Sequence, residues 1–178
     1  RLAVRHQNRL YGMCYRLLGS HALAEEAAQE ILVKVFRNLH RFRGESRFST
    51  WLYRVTLNHC RNVQAYRARR HEKRHDSLDA DREDDEGNTR KKELADTGPD
   101  AADDLLQQER LDILHEELAQ LDPIWKEILL LRDVDGQSYE EIGEALELPP
   151  GTVKSRLHRA RAQLKTRLGR RLKGDAEV

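Results

Sequence analysis

A basic helix near the C-terminus carries the side chains with the clearest chemistry. Its polar face holds Lys154, Ser155, His158 and Arg159. Ammonium and guanidinium groups bind phosphates, and the arginine fork also fits the O6 and N7 acceptors of guanine. Residues 151–173 contain nine Lys or Arg and no Asp or Glu. A helix that only faces water normally mixes both signs of charge to gain pairs one turn apart, so we expect this one to bind nucleic acid.

Two short helices joined by a tight turn are predicted to position that face. Ser138 and Glu141 have the spacing of a capping box at the start of the first helix. Pro149 and Pro150 cannot continue that helix, but proline fits the first turn of a second one, where Thr152 adds a capping or phosphate-binding hydroxyl. The predicted buried positions are Tyr139, Ile142, Ala145 and Leu146 in the first helix, and Val153, Leu157, Ala160, Leu164 and Leu168 in the second. This is the layout of a DNA-reading helix-turn-helix.

Charge is segregated along the 178 residues, although the formal net charge is only +1. Residues 1–75 carry a net charge of +11, residues 76–117 a net charge of −11, and residues 118–178 a net charge of +1. Such segregation indicates two nucleic-acid-facing domains joined by an acidic tether.

The basic N-terminal block is predicted to hold three helices. The first buries a stripe from Leu10 to Leu18 and ends at Gly19. The segment from Arg41 to Phe48 contains a glycine and reads as a loop, after which Ser49 or Thr50 is expected to cap the third helix. The second helix is predicted to bury Ala24, Ala27, Ala28, Ile31, Leu32, Val35, Phe36 and Leu39.

Aromatic and basic residues alternate in and after the loop that precedes the third helix. The rings are Phe42, Phe48, Trp51, Tyr53 and Tyr66, and arginines lie between them. Cations beside exposed rings suit single-stranded nucleic acid, because bases stack on the rings while the backbone follows the positive charge. The alternative is that these rings are ordinary core residues, and the sequence leaves both interpretations open.

Residues 76–108 are predicted to be a linker, because an acidic run (residues 79–86) is combined with turn-forming residues and few large apolar side chains. Such a segment cannot bury enough surface to fold alone. It is either a solvated tether or an acidic mimic of nucleic acid that occupies a basic channel of a partner. Helices are expected from about Asp104 to Gln120 and from Pro123 onward, and with the helix-turn-helix they would form a four-helix domain.

Other classes of protein find little support in the sequence. The longest aliphatic run, residues 128–131, is far too short to cross a bilayer, so no membrane insertion is expected. Cys14 and Cys60 fall within apolar helical patterns and are expected to fill the core as free thiols, which agrees with a reducing cytoplasm. His71 and His75 share a helical face, but the surrounding Arg and Lys repel a cation, so no metal site is predicted. No catalytic residue and no cofactor is predicted, since the sequence has no phosphate-binding glycine loop, nucleophile elbow or HExxH motif.

Three segments together resemble the extracytoplasmic-function sigma factors of bacterial RNA polymerase. ALAEEAAQEILVKVFRNLHRF (22–42) is similar to the helix that docks on the polymerase, and FSTWLYRVTLNHCRN (48–62) to the region that melts the promoter and reads its −10 element. YEEIGEALELPPGTVKSRLHRARAQL (139–164) is similar to the domain that reads the −35 element. The resemblance implies an all-α protein with a region 2 domain at 1–75, a linker at 76–108, a region 4 domain at 109–173 and a tail at 174–178.

The resemblance also implies roles for individual residues. Gln29 and Glu30 match positions that grip the clamp coiled coil of the polymerase. The −10 strand, with one base flipped into a pocket, would be held by Arg43, Ser46, Arg47, Phe48, Ser49, Trp51, Arg54, Asn58, Arg61 and Asn62. The −35 duplex would be held by Thr152, Lys154, Ser155, His158 and Arg159. Of these, Arg159 is the candidate for reading guanine, whereas His158 departs from the aromatic or aliphatic residue expected there.

The implied function is that of a non-catalytic specificity subunit. It would bind the clamp coiled coil and the flap of core RNA polymerase. It would read promoter DNA as a duplex at −35 and as a non-template single strand at −10. An anti-sigma factor is a possible further partner. The sequence leaves two other hypotheses open. One is a free-standing regulator that binds duplex DNA without polymerase, and the other is a DNA-processing enzyme, which would need a cluster of acids or histidines.

Overall fold

Seven α-helices make up the regular structure of the part of the chain that is described, and no strand occurs there. The computed structural model describes residues 2–76 and 100–174, with side chains placed over 6–70 and 109–171. The helices are α1 (Leu2–Leu18), α2 (His21–Asn38), α3 (Phe48–Asp76), α4 (Asp100–Ala119), α5 (Pro123–Leu129), α6 (Tyr139–Leu146) and α7 (Pro150–Gly174). A 3-10 turn, Leu39–Arg41, follows α2, and a π-helical turn, Leu130–Val134, follows α5. The all-α prediction is confirmed.

The segment assigned to a linker differs in part from its prediction. Helix α4 begins at Asp100, so residues 100–108 are helical backbone, where a helix was expected only from about Asp104. The acidic run at 79–86 lies outside the described residues.

The helices of the N-terminal bundle, α1–α3, pack around a core of small and aliphatic side chains. Leu10, Met13, Cys14 and Leu17 of α1 are buried, and Gly19 ends that helix with a φ of +71°. The two thiols, Cys14 and Cys60, are free and buried, as predicted. The buried residues of α2 are Ala24, Ala27, Ala28, Ile31 and Val35.

Two predictions for this bundle are wrong. Phe36 is 83% exposed and Leu39 is 41% exposed, although both continue the apolar stripe of α2. The apolar stripe extends beyond the part of α2 that is packed, because no helix in the described part of the chain covers these two side chains. Helix α3 begins at Phe48, and the N–H of Trp51 donates to the carbonyl of Arg47 at 3.1 Å, so neither Ser49 nor Thr50 is the cap.

The C-terminal bundle, α4–α7, is built around the buried face of α7. Val153, Leu157 and Ala160 are at most 2% exposed and lie in one core with residues of α5, α6 and the π-helical turn. Asp122 caps α5, since its side chain accepts a hydrogen bond from Ile124 N at 3.0 Å, and Pro123 starts that helix as predicted. The two bundles also touch each other, with α3 lying against α6.

Candidate nucleic-acid interface

The helix-turn-helix forms where the sequence predicted it. Ser138 Oγ accepts a hydrogen bond from Glu141 N at 3.1 Å, and Glu141 Oε2 accepts one from Ser138 N at 2.8 Å, which completes the capping box. Helix α6 ends at Glu147, whose φ of 58° and ψ of 45° are left-handed. Leu148 N then donates to the carbonyl of Gly143 at 2.8 Å, and α7 starts at Pro150. The turn therefore fixes the direction in which α7 leaves.

The polar face predicted on α7 is exposed. Opposite it, Val153, Leu157 and Ala160 anchor the helix in the core. Ser155 Oγ donates to the carbonyl of Thr152 at 3.0 Å, which orients that hydroxyl within the first turn. The exposed side chains are Lys154, Ser155, His158 and Arg159, and Thr152 is half-buried beside them. A rigid helix thus presents a polar, positively charged ridge with the dimensions needed for a DNA major groove.

The basic charge of α7 is not all available to a partner. Arg161 forms an ion pair with Asp133, Arg167 with Glu117 at 2.7 Å, and Arg171 with Glu116 at 3.0 Å. Because the acids come from α4 and the π-helical turn, the sequence of α7 alone did not reveal them. Lys154 and Arg159 in the N-terminal turns of α7 lie outside these ion pairs, and so do Lys165 and Arg170 further along the helix.

The aromatic side chains before and within α3 form a cluster. The ring centroids of Phe42 and Phe48 are 5.6 Å apart, those of Phe42 and Trp51 are 5.6 Å apart, and those of Phe48 and Trp51 are 5.7 Å apart. All three rings are half-buried. Tyr53 is only 3% exposed and belongs to the core, whereas Tyr66 is 60% exposed. The alternative that the rings serve packing thus holds for Tyr53 and in part for Phe48 and Trp51, which pack against the core while part of their surface stays exposed.

The loop before α3 displays several of the predicted strand-binding residues. Gly44 turns this loop with a φ of +75°. Arg43 is exposed beside it, and Asn58 and Asn62 are exposed further along α3. Ser46 and Ser49 are half-buried at the start of the helix. Arg43, Asn58 and Asn62 are therefore open to solvent, and the two serines are partly so.

Three arginines of that predicted set contact the C-terminal bundle. Arg61 pairs with Glu127 through two hydrogen bonds, of 2.7 Å and 2.5 Å. Arg47 Nη1 lies 2.9 Å from Glu141 Oε1. Arg54 Nη2 donates to the carbonyl of Glu144 at 2.8 Å. The three contacts join residues between 66 and 94 positions apart, so the sequence pattern carried no signal for them.

Other buried charges lie at the same junction. Arg9 pairs with Asp135 at 3.0 Å, and the Asp135 carboxylate is 7% exposed. Burial raises the pKa of Asp135, against the opposing effect of the Arg9 charge. Burial and the nearby Asp135 charge likewise raise the pKa of Tyr53. Lys126 is also buried, which lowers its pKa, and its Nζ donates to the carbonyl of Leu17 at 3.1 Å.

The exposed face of α2 holds the residues predicted to dock on the polymerase. Gln29 and Glu30 are exposed, and so are two apolar side chains further along, Val33 at 50% and Phe36 at 83%. An apolar patch on an otherwise polar surface is typical of a protein–protein contact. Helical periodicity predicted that Phe36 is buried, and only the packing of α2 shows that its ring is exposed to solvent.

A buried histidine lies beneath this face. His59 of α3 is 7% exposed, and its Nδ1 lies 2.6 Å from Lys34 Nζ. Its Nε2 lies 3.8 Å from Glu30 Oε2. Burial, followed by the charge of Lys34, lowers the pKa of His59.

Neither a metal site nor a membrane span is found in the described part of the chain. Over residues 6–70 and 109–171, His, Cys, Asp and Glu side chains form no group of three that could hold an ion. His71 and His75 lie outside the described side chains. Among the helices described, none combines the length and apolar character needed to cross a bilayer.

Two family models match the chain. Sigma-70 region 2 matches residues 2–74, and Sigma-70, region 4 matches residues 111–164. The first match covers α1–α3 with the aromatic cluster, and the second covers the helix-turn-helix. Both matches agree with the resemblance found in the sequence.

Curated relatives are similar over most of their length. The RNA polymerase sigma-H factor of Pseudomonas aeruginosa is 35% identical over 160 residues, which cover 90% of this chain and 80% of the relative. The ECF RNA polymerase sigma factor SigW of Bacillus subtilis is 32% identical, with 92% and 84% covered. The ECF RNA polymerase sigma-E factor of Escherichia coli K12 is 34% identical, with 90% and 81% covered.

Solved structures share the fold. The sigma factor RpoE, in complex with the anti-sigma factor NepR from Bartonella quintana, superposes with a TM-score of 0.70 at 22% identity, covering 93% of both chains. CnrH, in complex with the cytosolic domain of CnrY, gives a TM-score of 0.63 at 24% identity, covering 94% of this chain and 85% of CnrH.

Proposed function

The chain belongs to the extracytoplasmic-function sigma factors and acts as an alternative sigma factor in transcription initiation, and we propose which of its surfaces meet the promoter and the polymerase. The observation that carries the assignment is the exposed polar ridge of α7, held rigidly by the buried side of the same helix. The remaining surfaces are assigned from their exposure and charge.

The ridge of α7 reads the −35 element in the major groove. Lys154 and Ser155 lie at its N-terminal end, where side chains of a recognition helix meet base edges and phosphates. Arg159 is exposed one turn further on, and its fork suits the O6 and N7 atoms of one guanine. Arg161 is already paired with Asp133, which supports ending the contact surface near Arg159.

The loop before α3 and the exposed side of that helix hold the −10 strand. The rings of Phe48 and Trp51 keep an open edge on which an unstacked base can rest. Arg43, Asn58 and Asn62 offer exposed hydrogen-bond donors along the path of the backbone. Arg47, Arg54 and Arg61 add positive charge to the same path.

The exposed face of α2 docks on core RNA polymerase. Glu30 and Gln29 supply polar contacts to the clamp coiled coil, and the neighbouring Val33 and Phe36 supply apolar area. A large exposed ring at the centre of a contact is the kind of side chain that dominates binding energy. The C-terminal bundle would meet the flap of the polymerase.

The chain has no chemistry of its own in this proposal. The polymerase holds the catalytic metal, and the sigma factor supplies the choice of promoter, acting in the cytoplasm where the chromosome lies. Two similar solved structures are complexes with an anti-sigma factor or with a cytosolic partner domain, so an anti-sigma factor is included among the proposed partners.

Run-off transcription on fragments of the genome from which the chain derives tests the proposal. Core polymerase is used with and without the purified chain. We expect discrete start sites that occur only with the chain, each preceded by two shared sequence elements. If the chain binds fragments alone but directs no start, a free-standing regulator replaces the proposal. If the chain cleaves DNA in a metal-dependent reaction, the proposal is replaced by that of a DNA-processing enzyme.

A further inference from the structure

Helix α7 contains a short sequence repeat. KSRLHR at 154–159 and KTRLGR at 165–170 start eleven residues apart and share Lys, Arg, Leu and Arg at the same places. Eleven residues make three turns of an α-helix to within roughly 20°, so equivalent residues of the two copies share one face. The second copy therefore repeats the polar ridge of the first about 16 Å further along the helix. Its exposed residues are named the second ridge: Lys165, Thr166, Gly169 and Arg170.

The structure presents the two copies alike. All four residues of the second ridge are exposed, and so are their counterparts in the first copy. Thr166 Oγ1 donates to the carbonyl of Ala162 at 3.0 Å, and Ser155 Oγ donates to the carbonyl of Thr152 at 3.0 Å. The same kinds of side chain thus occur twice on one rigid helix, in similar local conformations.

The cations of the second ridge are free, although their neighbours are engaged. Arg167 and Arg171 pair with acids of α4, at 2.7 Å and 3.0 Å, and these pairs brace this part of α7 against α4. Within the described part of the chain, neither Lys165 nor Arg170 lies in an ion pair. Two free cations on a helix without a single acid from 151 to 173 favour an anionic partner.

The main difference between the copies is Gly169, which takes the place of His158. A Cβ atom built on Gly169 would meet nothing within 4 Å, so packing within the described chain does not require a glycine there. Glycine in a helix interior costs about 1 kcal/mol relative to alanine. The missing side chain lets a partner's backbone come close to the helix between the two cations.

We propose that the second ridge binds phosphates of duplex DNA beside the −35 element. A straight helix does not follow a curved groove, and the two ridges are farther apart than the major groove is wide, about 12 Å. Lys165 and Arg170 therefore meet the sugar–phosphate backbone, where contacts add affinity without choosing bases. This inference rests on the proposed −35 site and adds a sequence-independent clamp to it. The match to Sigma-70, region 4 ends at residue 164, before the second ridge begins.

Adjacent arginines provide a matched pair of variants. Arg170→Ala removes a free cation, whereas Arg171→Ala removes one that Glu116 already engages, and both change the net charge equally. The double variant Lys165→Ala, Arg170→Ala removes both cations of the second ridge. Because these side chains are exposed, their removal leaves no cavity. Circular dichroism and thermal unfolding establish that each variant is folded.

The salt dependence of promoter binding is the first measurement. Holoenzyme assembled from core polymerase and the full chain is titrated with a labelled duplex promoter, at a temperature at which the DNA stays closed. Each phosphate contact steepens the fall of log affinity with log salt by about 0.9. We therefore expect a slope shallower by about 1.8 for the double variant and by about 0.9 for Arg170→Ala, with Arg171→Ala unchanged. Between about 50 and 200 mM salt, the wild type then loses about tenfold more affinity than the double variant.

Ethylation interference locates the contacts on the DNA. We expect binding of the wild type to be weakened by ethylated phosphates outside the −35 element, and the double variant to lose this sensitivity. A salt slope that the double variant leaves unchanged overturns the proposal, and so does interference confined to the element. Weaker binding of the double variant to core polymerase in the absence of DNA also overturns it, because the second ridge is then a protein contact.

Base substitutions within the −35 element separate this inference from the site on which it rests. The double variant is expected to weaken binding to every sequence by the same factor and to keep the preference for bases. If Arg159→Ala changes that preference while the double variant changes nothing, the −35 site stands and the second ridge fails. If Arg159→Ala leaves the preference unchanged and the double variant still lowers the slope, the −35 site fails and the phosphate contact stands. Should run-off transcription yield no promoter, the same salt series is carried out with the full chain alone on a duplex of arbitrary sequence, where an unchanged slope overturns the proposal.

Discussion

Gly143 of α6 lies against the backbone carbonyl of Leu148, and a Cβ atom built on this glycine would be 2.6 Å from that oxygen. Two other features hold Gly143 and Leu148 close together. Leu148 N donates to the carbonyl of Gly143, and Glu147 between them is left-handed. The turn of the helix-turn-helix therefore closes only because position 143 has no side chain, and the obstacle is backbone that cannot rotate away.

Gly143→Ala is expected to destabilise the chain by about 1–3 kcal/mol, because the turn must open to admit a methyl group. Thermal or urea unfolding measures the effect. Gly169→Ala is the matched control: it lies on an exposed part of α7 where an added Cβ meets nothing within 4 Å. Alanine is the better helix former, so this change should stabilise by up to about 1 kcal/mol. Equal effects of the two substitutions would contradict the steric explanation.

Local rules were sufficient to predict the helix-turn-helix from the sequence. Ser138 and Glu141 are three residues apart, and the prolines mark where one helix stops and the next starts, so the capping box and the turn follow from neighbouring residues. The left-handed Glu147 was not anticipated, because a non-glycine residue at a helix end gives no signal of its own. Its conformation is stabilised by the contact of Leu148 with Gly143.

His59→Gln is expected to reduce the loss of stability on acidification. Because burial and Lys34 lower the pKa of His59 below its ordinary value of 6.5, folding favours the neutral form of this ring. The contribution of the neutral ring to the free energy of unfolding is complete when the pH is above the ordinary pKa of histidine. This contribution is lost as the pH falls through the lowered pKa of His59. Glu30 and Glu26 oppose the shift but do not reverse it.

The measurement is the free energy of unfolding between pH 7.5 and 5. One such group changes the slope by at most about 1.4 kcal/mol per pH unit. His115, whose pKa is also lowered by burial, contributes in the same direction and remains in the variant. His40→Gln, at an exposed site on the 3-10 turn, is the control. A pH dependence of the His59→Gln variant identical to that of the wild type would show that this histidine is not responsible.

Phe36→Ala is expected to weaken binding to core polymerase by about 1–3 kcal/mol and to leave stability within about 0.5 kcal/mol of the wild type. The ring is 83% exposed, so its removal creates no cavity. Binding to core polymerase is measured by competition between the labelled wild type and the variant. Tyr66→Ala, at a side chain 60% exposed on α3 and outside both proposed docking surfaces, is the control and should compete like the wild type. Unimpaired competition by Phe36→Ala would remove this face from the docking site.

The features that the sequence did not predict depend on contacts between segments that are distant along the chain. Glu127 lies in an apolar run and pairs with Arg61 at a separation of 66 positions, so neither its burial nor its partner is encoded locally. Phe36 fits the helical period of a buried stripe, yet no element among the described residues covers it. The acids that neutralise Arg161, Arg167 and Arg171 likewise come from other helices. Periodicity predicts which face of a helix is apolar, but tertiary packing decides how far along the helix that face is covered.

Arg159→Ala is expected to cost about 1–3 kcal/mol at one base pair of the −35 element and to relax the choice of base there. Arg159 is exposed on the ridge of α7 and free to place its fork on a guanine, whereas Arg161, two residues on, is held by Asp133. Arg161→Ala is therefore the matched control, with a small effect on promoter choice and, for an exposed pair, a stability change of about 1 kcal/mol or less. Run-off transcription from promoters that carry each base at each −35 position measures both variants. A loss confined to one position identifies Arg159 as a base-reading residue. An equal loss at all positions would instead make it a phosphate contact, because a phosphate contact carries no sequence information.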